Sequence, residues 1–129
     1  MNIYTSYFGN IKRIKKEINN PYFCTIARYY AKFREYIDEA IYEFMPSKEL
    51  LSLYKNRLID EEEYVKSFNE SLFYKLYKIE ASGGISKFFE SINEENIFLL
   101  CYENKNDFCH RHLVSKMLNG RYNLNIKEY

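Results

Sequence analysis

The chain has 129 residues, of which 29% are charged, 47% hydrophobic and 19% aromatic. That is the size and make-up of one folded domain, 1–129, and it excludes a multidomain assembly or a disordered chain. Lys and Arg number 19 against 18 Asp and Glu, for a formal charge of +1, so no global field favours wrapping duplex DNA or lying on an anionic membrane, and any anion site must be local.

No stretch approaches the roughly 20 apolar residues of a membrane span. The opening MNIYTSYFGN lacks the basic-then-apolar order of a signal peptide, so no membrane association and a cytoplasmic location are expected. Three cysteines, Cys24, Cys101 and Cys109, are an odd number without framework spacing and read as reduced thiols.

In chain order, residues 3–8 are β-branched and aromatic and end at Gly9, which predicts a strand. Ile11, Ile14 and Ile18 then recur at helical spacing in a Lys-rich segment. Asn19, Asn20 and Pro21 stop that helix, and the uncharged run 22–27 predicts a second, buried strand parallel to the first. Over 33–77 the pattern is helical. Phe33, Tyr36, Ile37, Ala40, Ile41 and Phe44 form one stripe, and Pro46 ends it before Ser47 caps the next helix. Asp60 and Glu63 approach a capping box ahead of Tyr64, Phe68, Leu72 and Leu76.

Ser82, Gly83 and Gly84 make a turn, which is no phosphate loop because it follows a helix and lacks Gly-Lys-Ser/Thr. Ile85, Phe88, Phe89 and Ile92 mark a short amphipathic helix. Residues 97–102, IFLLCY, are the most hydrophobic run and predict the middle strand of the sheet. Asp107 can cap a final helix with Leu113, Val114, Met117 and Leu118 on its apolar face and Gly120 at its end. The tail, 122–129, either adds a short strand through 124–126 or trails off. The expected fold class is α/β: a small three-layer domain with a short, mostly parallel sheet, helices on both faces and a helical insertion between the second and third strands.

Parallel strands would gather Thr5, Ser6, Tyr7, Arg28, Tyr29 and Glu103 at the edge where open α/β sheets bind ligands. The last helix would begin there as well, its free N–H groups beside Cys109, His110 and Arg111. At about 100° per residue, His110 faces the core and His112 points away. An inward His110 either holds a backbone carbonyl as a neutral imidazole or shares a site with its neighbours. Cys109, near Arg111 in a first turn, is placed for a depressed pKa and nucleophilic sulfur, or else is core. Cys101 reads as inert within its strand unless it faces the same pocket, and Cys24 as core. The Cys-x7-Cys-His spacing lacks the paired knuckles of a zinc site, so no metal or other cofactor is expected. No cysteine opens a Cys-x5-Arg phosphatase loop.

The segment LLCYENKNDFCHRHLVSKML, 99–118, resembles the signature of the domain of unknown function 488 family. There a strand ending in Cys-x-Glu precedes a loop and a helix opening with Cys-His-Arg, matched here by Cys101, Glu103, Cys109, His110 and Arg111. YTSYF near the N-terminus and Ile26-Ala27-Arg28 are similar to the family's first two strands, as in its small stand-alone branch. The resemblance implies a compact α/β domain with a polar pocket at the strand ends. Tyr29-Tyr30, where many members have Pro, departs from it and alters that rim.

The leading expectation is a small phosphorylated or nucleotide-like ligand. Arg28, Arg111 and the helix N-terminus would hold the anion, Tyr7 or Tyr29 would stack on a ring, and Glu103 and His110 would give specificity. A rival is a Cys-dependent enzyme in which Cys109 attacks, His110 shuttles a proton and Glu103 orients or acts as acid. A third is a phage or mobile-element accessory protein that sequesters a nucleotide signal or contacts a host protein, with self-association as a further option.

Overall fold

A computed structural model of the protein describes residues 1–102 and 109–129, and its centre is the uncharged run that the sequence marks out. This strand, Asn96–Cys101, is the fourth of five, β4. On one side it pairs in parallel with β1, Asn2–Tyr7. On the other it pairs in parallel with β2, Pro21–Thr25. Ile97 through Cys101 have no solvent exposure, which explains why this strand carries no alternating polar residues: a strand covered on both faces must be apolar on both.

Two short strands complete an all-parallel sheet in the order β3-β2-β4-β1-β5. They are β3, Glu39–Ala40, beside β2, and β5, Lys127–Glu128, beside β1. The α/β class and helix-covered parallel sheet expected from sequence are what the chain adopts.

Strand alternation assigns the two faces. Tyr4 stacks on Phe98, and Tyr129 meets both edge-on, so these rings share one face. Ser6 shares it too, bonded to Asn10 just ahead of α1, Ile11–Glu17. Thr5, Tyr7 and Cys101 point to the other face. There lie α3, Glu61–Ala81, and α5, His110–Tyr122, which pack against each other. The buried stripe Tyr64, Phe68, Leu72, Leu76 and Ile79 of α3 is core, as its four-residue spacing requires.

The cap signals are realised atom by atom. Ser47 Oγ accepts the Leu50 N–H at 3.0 Å ahead of α2, Lys48–Lys55. Asp60 Oδ1 accepts the Glu63 N–H at 2.8 Å ahead of α3. After Gly83 and Gly84, both at positive φ, comes α4, Ile85–Glu90, with Ile85 and Phe89 buried.

Three expectations need correction. The stripe over 33–44 is not a helix: 3-10 turns at Ala31–Tyr36 and Tyr42–Phe44 flank β3. Asp38 accepts the Phe23 N–H through its carboxylate and donates its own N–H to the Phe23 carbonyl, both at 2.8 Å. Those bonds extend the sheet at its edge and outweigh a local helical period. Gly120 does not end α5, which runs on to Tyr122 and stops at Asn123 with φ 55°, a conformation that Asn tolerates. The tail does add a strand, at Lys127–Glu128 and not at 124–126. The proposed cap Asp107 lies outside the described residues. Among the described residues, no helix is long and apolar enough to cross a membrane.

Candidate functional site

The C-terminal ends of β2 and β4 open into a cavity of about 230 Å³ lined by Arg28, Tyr29, Tyr54, Tyr64, Tyr102 and His110, together with Ala27, Pro46, Leu51, Cys101 and Cys109. Strand direction explains its place. Parallel strands end together, and the chain leaving β2 through Ile26 and Ala27 delivers Arg28 and Tyr29 to the edge where β4 delivers Cys101 and Tyr102. The N-terminus of α5 closes one wall with Cys109 and His110. The walls are aromatic for a local reason: Tyr54 ends the apolar face of α2, Tyr64 begins that of α3, and their rings meet at 5.0 Å.

His110 is 7% exposed and faces inward. Its Nε2 lies 2.6 Å from the carbonyl oxygen of Ile26. A carbonyl only accepts, so Nε2 carries the hydrogen and Nδ1 is bare. That bare nitrogen faces Cys109 Sγ at 3.9 Å, while the ring packs on Phe68. Burial pushes the imidazole pKa down to about 4, with the charges of Arg111 and Lys75 acting in the same direction against the Ile26 hydrogen bond. His110 is therefore neutral at pH 7. Its bond to a backbone carbonyl is the structural alternative read from the sequence. His112 is half-buried, not fully solvated, and burial and Arg111 lower its pKa.

Arg28 donates from Nε to the Pro46 carbonyl at 2.8 Å, which fixes its stem against the cavity wall. Close by, Lys75 of α3 donates from Nζ to the Met45 carbonyl at 3.0 Å. Burial and the neighbouring Arg28 charge lower its pKa, while Glu43 opposes them. Arg28 lines the cavity and Lys75 lies near enough to feel its charge, which raises the local potential in a protein of near-zero net charge.

Arg111 does not join this cavity. Its side chain is wholly buried and forks onto Glu128, with Nη2 at 3.0 Å from Oε2 and Nε at 3.2 Å from both oxygens. Thr5 Oγ1 donates to the same carboxylate at 2.6 Å. Arg111 Nη1 reaches Cys101 Sγ at 3.0 Å, and its guanidinium lies over the Tyr7 ring. The expected convergence of Arg28 and Arg111 in one pocket is thus corrected: β5 supplies a carboxylate that draws Arg111 to the far side of β4. Thr5 and Tyr7 go with it, and Ser6 is on the opposite face bonded to Asn10. Glu103, the acid of the Cys-x-Glu pair, lies outside the described residues.

The Cys101 and Cys109 sulfurs meet at the cavity wall with their Cα atoms 7.4 Å apart, beyond the span of a disulfide, and Cys24 is a buried free thiol. Burial pushes the Cys24 thiol pKa far up, so Cys24 is inert core. Among the described residues, no three His, Cys, Asp or Glu side chains cluster as a metal site.

The sequence reading missed Tyr54, Tyr64, Tyr102 and Lys75. The first two fall on apolar helix faces, where a cavity wall and a core contact give the same signal. Lys75 falls between Tyr74 and Leu76 with nothing in its spacing to mark it.

A family model described as the active DUF488-N3 subclade, DUF488-N3a, matches residues 9–122. No curated protein and no solved structure matches the chain.

Proposed function

We propose, for a chain that belongs to the DUF488-N3a family, that the cavity at the ends of β2 and β4 binds a small ligand with a flat ring and an anionic group, of nucleotide-like kind. The observation that carries this reading is the composition of one cavity: four tyrosines around the Arg28 side chain, with Lys75 beside Arg28. Aromatic walls bury and stack on a ring, and a guanidinium recognises phosphate or carboxylate through paired N–H donors. His110 is neutral and both its nitrogens face protein atoms, so its part is to hold the Ile26 corner of the wall.

A thermal-shift titration with nucleosides, nucleoside mono- and diphosphates and inorganic phosphate tests the reading. Stabilisation is expected from compounds carrying both ring and anion, exceeding that from either alone. No shift with any of them would sink it.

A second reading has its own support. The Cys109 sulfur sits 3.9 Å from a bare imidazole nitrogen, the placement of a Cys nucleophile beside a base. Cys109→Ser would then abolish turnover of an electrophilic substrate while leaving ligand binding unchanged. Retained turnover would exclude it.

A further inference from the structure

We propose that a groove along α2, next to the cavity, holds a chain of phosphates, so that the ligand class is a nucleoside di- or triphosphate; the inference rests on ligand binding at Arg28. The groove, of about 500 Å³, is lined by Tyr29, Lys48, Leu51, Ser52, Lys55 and Asn56. Tyr29 and Leu51 also line the cavity, so the two spaces adjoin along those residues. A ligand anchored at Arg28 and longer than the cavity continues past Tyr29 onto α2.

Helical spacing builds this second space. Lys48, Leu51, Ser52 and Lys55 follow one another at steps of three, one and three residues, which keeps them on one face of α2, and the two lysines stand two turns, about 10 Å, apart. Both are exposed. Among the described residues neither takes part in an ion pair, whereas Arg13, Arg111 and Arg121 each hold a glutamate, and no acidic residue lines the groove. Ser52 Oγ accepts from Asn56 Nδ2 at 3.3 Å, which leaves the hydroxyl hydrogen to donate to a phosphate oxygen. A lysine meets phosphate as a compact charge with rotatable donors, where the Arg28 fork is fixed, so this face suits successive phosphates of a flexible chain. The division of labour is then a ring among the tyrosines, the first phosphate at Arg28, and the later phosphates between Lys48 and Lys55. A second nucleotide unit fits the groove less well, because Tyr29 alone among its lining residues offers an aromatic face to a base.

The test is calorimetric titration of the full chain, at low salt and without magnesium, with the mono- and triphosphates of adenosine, guanosine, cytidine and uridine and with inorganic tripolyphosphate. For a base that binds, the triphosphate is expected to bind roughly tenfold or more tightly than the monophosphate, an advantage that shrinks as salt is added. Lys48→Gln/Lys55→Gln, two exposed substitutions that leave the core untouched, is expected to abolish that advantage and the binding of tripolyphosphate. Lys12→Gln/Lys16→Gln, which removes the same charge from α1, is expected to keep both. Equal affinity for mono- and triphosphate in the wild-type protein, an advantage that survives in the α2 variant, or one lost equally in the α1 variant would overturn the proposal while leaving the cavity reading in place. Absence of binding by every nucleotide would remove the cavity reading and this inference together.

Discussion

His110 and Arg111 are adjacent in sequence and both buried, yet they reach opposite sides of β4. His110 turns towards β2 and gives its Nε2–H to Ile26, at the wall of a cavity. Arg111 turns towards β1 and β5, where Glu128 and Cys101 take its hydrogen bonds. Helical rotation of about 100° per residue thus divides one motif between two jobs. On the β2 side, cationic and aromatic groups surround open space. On the β5 side a cation and a carboxylate are closed on each other within the fold. A Cys-His-Arg sequence is therefore not by itself a single site, because charge that is already paired inside the fold holds the fold together, and only the charge that borders a cavity remains to meet a ligand.

The contrast is broken most severely at Arg111. Arg111→Leu leaves the Glu128 carboxylate with the Thr5 hydroxyl but without its cation in a largely enclosed position, and removing one member of a buried ion pair costs about 3–5 kcal/mol. Chemical denaturation should show that loss with the cavity residues intact. A loss below about 1 kcal/mol would mean that the pair contributes no more than a surface salt bridge.

His110 gives the next effect, with a pH signature of its own. Its folded pKa, near 4, is depressed below the unfolded value of about 6.5. Below about pH 6.5 the unfolded chain takes up a proton that the folded chain refuses, so its contribution to stability is complete above that pH and declines as pH falls towards 4. His110→Phe should lower stability at pH 7 by about 1–3 kcal/mol through the orphaned Ile26 carbonyl. It should also flatten the pH dependence between those limits. An unchanged slope in denaturation curves recorded across this range would place the titration elsewhere.

Far from both regions, Asp60→Ala removes the cap of α3 and should cost about 1 kcal/mol with no effect on cavity or ion pair. If ligand affinity falls with it, the length of α3 transmits strain to Tyr64, and the separation between framework and cavity is less complete than the contacts imply.

Much of this architecture is legible in the sequence because it rests on local or pattern-level signals. IFLLC reads as a doubly covered strand, Ser47 and Asp60 read as caps, and the position of His110 on its helix fixes its inward direction. Apart from the end of α5, the failures are long-range. The stripe from Phe33 to Phe44 satisfies a helical period, but β2 offers a free edge, and the Asp38 bonds to Phe23 decide in favour of turns and a short strand. Arg111 satisfies the pattern of an anion-binding residue, but its partner Glu128 sits in a tail with no strong signal of its own. Nothing in residue spacing reports that β5 will return beside β1 and bring that carboxylate within 3.0 Å. The cavity is legible only at its edge: Arg28, Tyr29, Cys109 and His110 stand out by chemistry, while Tyr54 and Tyr64 are supplied by helices whose packing alone puts them there.

The assignment of ligand recognition to the β2 side rests on Arg28, and calorimetric titration of Arg28→Ala beside Thr5→Val tests it most directly. Arg28 is partly exposed and its fixed bond is to one carbonyl, so its loss should change stability by no more than about 1 kcal/mol. For a nucleoside monophosphate that stabilises the wild-type protein, Arg28→Ala should weaken binding by roughly tenfold or more, the loss of a charge-assisted hydrogen-bond pair. Thr5→Val, on the β5 side, should bind as the wild type does. Equal affinity in wild type and Arg28→Ala, or a loss confined to Thr5→Val, would contradict the division and move the site to the other side of β4.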